Sequence, residues 1–195
     1  MRFFHAVAGF FLFFELPIPI YWLILHPFNG FWRTRVRSAF WFSGLTAWVS
    51  GGVLLWIFRG SLLSATRPHW IAVGAGFALI GAEVYLFGRV ERELGSRRLV
   101  GHSELTRKGE FFVSGLYAHV RHPRYTGMFC AVAGAGLIAG TPRLWAVLAV
   151  WCIVALIAIR FEERELAARF GRTYIDYRNR VPAFLPFRRG GRGDS

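Results

Sequence analysis

Ser38-Ala-Phe-Trp-Phe-Ser-Gly-Leu-Thr-Ala-Trp-Val-Ser-Gly-Gly-Val-Leu-Leu-Trp-Ile-Phe58 runs from end to end without a charged side chain. A helix rises about 1.5 Å per residue, so about 20 apolar residues cross the ~30 Å hydrocarbon core of a bilayer. This stretch has that length and predicts a transmembrane helix. Before it, an apolar run from about Phe3 to Leu25 is interrupted by Glu15, Pro17 and Pro19. After it, about His69 to Gly88 makes a third span, with Glu83 near its end. The stretch Arg89 to Arg124 is too long and charged to cross. Two shorter apolar segments follow, about Tyr125 to Gly140 and Leu144 to Ile159. Proline cannot continue the first of them, so Thr141-Pro142 predicts a tight turn and a helical hairpin. The fold expected is all-α and polytopic, with about five transmembrane helices and cytoplasmic amphipathic helices from Arg160 onward.

Composition supports this. Hydrophobic residues make up 54% of 195 residues, more than a soluble domain of this size can bury. A formal net charge of +13 fits nucleic acid or an anionic membrane surface. The long apolar segments decide for the membrane, so membrane lipids are expected partners and nucleic acid is not. Cys130 and Cys152 lie in apolar runs, with no CxxC pair or Cys/His cluster, so they read as core residues and no metal site is expected. Arg2 and the run after it could open a signal peptide, but no small-residue cleavage site follows. It reads as a retained helix.

Basic residues set the orientation. Segments 33–37, 89–124 and 160–195 fall on one side of five helices and hold three, eight and nine of them. The other side has only Arg2, Arg59, Arg67 and Arg143. The C-terminus is therefore expected in the cytoplasm and the N-terminus outside. Gly74, Gly76, Gly81, Gly134, Gly136 and Gly140 are expected to let helices approach, with Gly136 and Gly140 as an intramolecular GxxxG seam.

Chemistry gathers in two places. In Gly115-Leu-Tyr-Ala-His-Val-Arg-His-Pro-Arg-Tyr-Thr-Gly127, Pro123 suits the first turn of the fourth helix. Arg121, His122 and Arg124 then surround a helix N-terminus, a natural anion site. A basic interface anchor with Tyr117 and Tyr125 as belt residues accounts for them equally well. The second place is Arg160-Phe-Glu-Glu-Arg-Glu-Leu-Ala-Ala-Arg-Phe-Gly171. Helical spacing allows Arg160–Glu163 and Glu165–Arg169 pairs on a solvated face. Alternatively, the hairpin returns both stretches to one spot and brings His122 and Tyr125 near Glu162 and Glu163. Glu15 and Glu83 are intramembrane acids and so functional candidates; reaching the interface is the preferred reading of Glu83, and for Glu15 that reading stands beside lining a lipid-access cleft where broken backbone needs partners.

Arg-His-Pro-x-Tyr-x-Gly at 121–127, Glu162-Glu163, Phe-Gly-x-x-Tyr-x-x-Tyr at 170–177 and Val181-Pro182 form an ordered series over roughly 100 to 187. It resembles the isoprenylcysteine carboxyl methyltransferase family and its bacterial relatives, themselves similar to phospholipid N-methyltransferases. The resemblance implies S-adenosylmethionine as cofactor, bound on the cytoplasmic side, and a lipophilic substrate entering from the bilayer. It implies cofactor contacts at His102, Gly109, Glu110, Phe111, Phe112 and Tyr117, and along His122, Pro123, Arg124 and Tyr125. Glu162 would hold the cofactor ammonium, with Glu163 as near alternative; Arg160 and Glu163 are the catalytic candidates. Relatives acting on prenylcysteine carry a carboxylate-holding arginine where this chain has Ala158, and Arg160 points about 200° away from it. The division implied is 1–99 as membrane helices, 100–189 as the cofactor region and 190–195 as a flexible tail. The alternatives are an NADPH-dependent membrane reductase of sterol or steroid type, or a non-catalytic scaffold.

Overall fold

The computed structural model describes residues 1–65, 67–95 and 111–185. Its helices are α1 (Arg2–Glu15), α2 (Ile18–Leu25), α3 (Asn29–Trp32), α4 (Val36–Leu62), α5 (Trp70–Leu94), α6 (Pro123–Ala139), α7 (Arg143–Phe170) and α8 (Arg172–Arg180). Two 3-10 turns, Arg33–Arg35 and Gly115–Ala118, complete the described elements, which include no strand. Four segments are long and apolar enough to cross a membrane: Arg2–Leu25, Asn29–Leu62, Trp70–Leu94 and Arg143–Phe170. Along α4, Trp41, Leu45, Val53, Trp56 and Ile57 are all more than half exposed. So large an apolar surface belongs against lipid, and the chain is an integral membrane protein.

The proline break divides the first span. Pro19 has no N–H to give the Glu15 carbonyl, the bond an unbroken helix would make. The indole Nε1 of Trp151 on α7 donates to that carbonyl instead, at 3.3 Å. This is how irregular backbone is kept inside a bilayer, with a neighbouring helix supplying the lost partner.

α6, the fourth of the expected spans, lies at the centre and is buried along almost its whole length. Its alanines and glycines suit that place, since they let neighbours approach its backbone. A Cβ on Gly76 would fall 2.7 Å from the Gly134 carbonyl oxygen, and one on Gly134 equally close to that of Gly76. At this crossing α5 and α6 touch backbone to backbone. The other glycines differ from expectation. Gly74 and Gly81 face open space, and Gly140, at φ +66°, stops α6 instead of forming a seam with Gly136. Pro142 then caps α7, so the hairpin turn is as short as expected.

Past its apolar part, α7 runs on to Phe170, and Gly171 turns the chain into amphipathic α8. Residues 181–185 come back across the start of α6. The Arg121 N–H donates to the Pro182 carbonyl and the His122 N–H to that of Ala183, each at 2.9 Å. The Val181-Pro182 motif thus serves as a clasp, and it fixes the walls of the site.

Candidate active site

A cavity of about 630 Å³ lies where α2, α5 and α7 end and α6 begins. His122 is the N-terminal cap residue of α6, with Pro123 buried in the first turn. Arg121, just before them, is drawn to the clasp. Its Nη1 donates to the carbonyls of Arg178 and Val181, at 2.9 and 2.6 Å. Its Nε donates to Glu163 Oε1 at 3.0 Å, and Nη2 lies 2.9 Å from the same oxygen. His122 Nε2 lies 3.0 Å from that oxygen too. Glu163 is thereby committed to binding the clasp to the head of α6. Glu162 lies on the cavity wall, 4.0 Å from His122 Nδ1, and Glu91 of α5 is a second carboxylate there.

Aromatic rings form most of the remaining polar end. Phe111 packs against Tyr174 and Tyr177, with ring centroids 5.7 and 5.1 Å away, and Phe112 packs against Tyr117. The Tyr177 hydroxyl donates to the Tyr117 carbonyl at 2.7 Å. Burial, reinforced by Glu162 and Glu163, pushes the Tyr177 hydroxyl up to about 12, and Tyr174 is raised further by the same causes. Both stay neutral donors at physiological pH. Tyr125 lines the wall, and its hydroxyl is buried behind it with no hydrogen-bond partner among the described residues. The other end of the cavity is apolar, built from Ile18, Tyr21 and Trp22 of the broken first span and Phe40 and Trp48 of α4.

Of the residues expected from sequence, Phe111, Phe112, Tyr117, His122, Arg124, Tyr125 and Glu162 line this cavity. His102, Gly109 and Glu110 lie outside the described residues. Arg160 is exposed and is not brought to the cavity, because two residues of helix turn it about 200° from Glu162. Ala158 is fully buried and is not on the wall.

Arg124 lines the wall, but its guanidinium is shared by two acids. Glu15 of α1 lies 3.0 Å away, Glu83 of α5 is in direct contact, and the guanidinium sits over the Phe87 ring. Glu83 therefore does not reach the interface, as expected from its place near a span's end; it is 3% exposed. Glu15 likewise closes this ion cluster instead of lining a cleft. Gly127 makes the cluster possible, since a Cβ there would collide with the Glu83 carboxylate.

Two acids of α7 reach partners outside that helix. Glu163 turns to Arg121 and His122, and Glu165 turns to His26 Nδ1 at 2.9 Å and to Asn29. The sequence marked neither His26, Trp22 nor Glu91, and offered Arg169 only as a partner for Glu165 on a solvated face; all four line the cavity wall. His26 stands in His-Pro-Phe-Asn-Gly, which reads locally as a plain loop between spans.

A profile of the phospholipid methyltransferase family matches residues 71–173. The chain is 29% identical over 140 residues to methanethiol S-methyltransferase 2 of Bradyrhizobium diazoefficiens, covering 71% of this chain and 49% of that protein. It is 37% identical over 95 residues to protein-S-isoprenylcysteine O-methyltransferase of Mus musculus, covering 47% and 32%. To the B form of that enzyme in Arabidopsis thaliana it is 27% identical over 143 residues, covering 69% and 70%. The chain thus spans half or less of the first two of these relatives. No solved structure matches it.

Proposed function

Because the chain belongs to the phospholipid methyltransferase family, we propose that it transfers a methyl group from S-adenosylmethionine to a lipophilic acceptor drawn from the bilayer. The observation that carries this reading is one cavity with two unlike ends. Glu162, His122 and the unpartnered Tyr125 hydroxyl mark the polar end, and Tyr21, Trp22, Phe40 and Trp48 the apolar end. Its volume of about 630 Å³ falls within the roughly 300–1,000 Å³ of small-molecule sites.

The donor set suits the cofactor. Glu162 would take the ammonium of its methionine portion, and the Tyr125 hydroxyl and neighbouring cations its carboxylate. Phe111, Phe112, Tyr117 and Tyr174 would pack its planar base. His102, Gly109 and Glu110 remain proposed cofactor contacts. Bound there, the cofactor supplies a methyl carbon activated by a sulfonium. The protein's part is to align that carbon with the acceptor, which can contribute about 7–11 kcal/mol of barrier lowering. The aromatic walls also keep water from the reacting centre. Glu163 acts in this reading through the clasp, by fixing His122 and Arg121.

In the same reading, residues 100–189 provide the cofactor wall and residues 1–99 most of the acceptor wall. The polar end faces the cytoplasm and the N-terminus lies outside, in a bacterial inner membrane. A lipid extract incubated with the purified protein and radiolabelled S-adenosylmethionine tests the activity. Label is expected to enter an organic-soluble product, and much less with Glu162→Gln. Label that stays wholly in the cofactor, across extracts of several bacteria, counts against it.

A further inference from the structure

The turn of α7 that brings Glu162 to the cavity sorts its charges by face. Arg160-Phe-Glu-Glu-Arg-Glu165 has nearly balanced charge in sequence, yet its acids turn one way and its arginines another. Glu162 stands on the cavity wall, Glu163 is held by Arg121 and His122, and Glu165 by His26 and Asn29. Arg160 and Arg164 are exposed on the face turned away from the cavity. They are one turn apart, which sets their Cβ atoms about 5–6 Å from each other. Neither forms an ion pair among the described residues, and the Arg164 guanidinium lies 5.8 Å from the Phe161 ring.

The helix itself fixes their depth. No charged residue lies between Arg143 and Arg160. At about 1.5 Å per residue, Arg160 stands about 26 Å and Arg164 about 32 Å along α7 from Arg143. The two therefore straddle the edge of a hydrocarbon core about 30 Å thick, at the level of lipid phosphates. Val150, Ile153 and Ile157 are exposed on the same side, within about 80° of helix arc. On the membrane side of the arginines, this face is an apolar track.

We propose that Arg160 and Arg164 bind the phosphate of one anionic phospholipid, whose acyl chains lie along Ile157, Ile153 and Val150. An arginine at the edge of the hydrocarbon core keeps its stem in the apolar layer and carries its guanidinium to the headgroups. There a guanidinium donates to phosphate oxygens in a planar fork, and two on adjacent turns can share one phosphate. Two positive charges with no carboxylate beside them favour a lipid of net negative charge over a zwitterionic one, whose own cation opposes them. The same sorting explains Arg160: it faces lipid because Glu162, two residues on, faces the cavity. The proposal is independent of the methyltransferase reading.

Native mass spectrometry of the full chain in detergent tests this, with dioleoylphosphatidylglycerol or dioleoylphosphatidylcholine added and the retained lipids counted. One phosphatidylglycerol per chain is expected to bind in preference to phosphatidylcholine. Arg160→Gln/Arg164→Gln is expected to weaken that binding about 10–30-fold, from the usual contribution of an arginine near an anionic surface. Arg172→Gln/Arg180→Gln removes the same charge from exposed positions of α8, off the apolar track, and is expected to leave the binding unchanged. Thermal unfolding in detergent without added lipid verifies the fold of each variant. If the α7 pair does not fold, Arg160→Gln and Arg164→Gln serve singly, each expected to weaken binding about 3–5-fold. A preference for phosphatidylglycerol that is absent, that survives the α7 substitutions, or that falls equally with the α8 pair overturns the proposal. So does displacement of the lipid by millimolar inorganic phosphate, which would make this a site for the free ion.

Discussion

Arg124 holds together three helices that share no sequence motif. It reaches Glu15 on α1 and Glu83 on α5 from the first turn of α6. Removing one partner of a buried ion cluster leaves uncompensated charge, at a cost of about 3–5 kcal/mol. Arg124→Ala should therefore lower the unfolding temperature in detergent sharply. Arg124→Lys should recover only part of it, since an ammonium cannot offer two acids a planar fork. A wild-type melting curve for Arg124→Ala would remove the cluster from the account. The sequence shows these acids but not their partner. Hydropathy gives a residue's depth in the membrane, not the side of the helix it faces. For that reason Glu83 reads as reaching the interface, and Arg124 as one of several basic residues at a helix start.

At the scale of elements, the clasp made by α8 and residues 181–185 decides the shape of the cavity. One bond in it can be titrated. Burial raises the Tyr177 hydroxyl to about 12, above its ordinary value of about 10. A raised folded value favours the protonated form, so this contribution is complete below pH about 10 and is lost as pH rises through about 12. Tyr177→Phe removes the bond to the Tyr117 carbonyl and should cost about 0.5–1.5 kcal/mol at neutral pH. The difference between variant and parent should shrink over that alkaline window. A difference that stays constant to the top of the window contradicts the assignment. Most elements are legible in the sequence because their signals are local. Pro17 and Pro19 break the first span, and Gly140 to Pro142 close the hairpin. The clasp is not, because Val181 and Pro182 have meaning only through Arg121 and His122, some sixty residues earlier.

At the scale of the molecule, the two ends of the cavity come from different halves of the chain. The ordered motifs from Arg121 to Pro182 carried the resemblance, and the family match over 71–173 bears the family out; the cofactor wall is our proposal. The acceptor side was not legible in them. Trp22 and His26 stand in an apolar run and a short loop, and only the α2–α7 packing brings them to the cavity wall. Arg160, reasonable by spacing, is carried outward by the helix that carries Glu162 inward. The central claim is that this cavity binds S-adenosylmethionine through Glu162. Calorimetric titration of the detergent-purified protein with S-adenosylhomocysteine tests it most directly. The account predicts saturable binding at one site per chain, weakened about tenfold or more by Glu162→Gln, as the loss of a charged hydrogen bond requires. No binding to the unaltered protein, or equal binding to both, would contradict it.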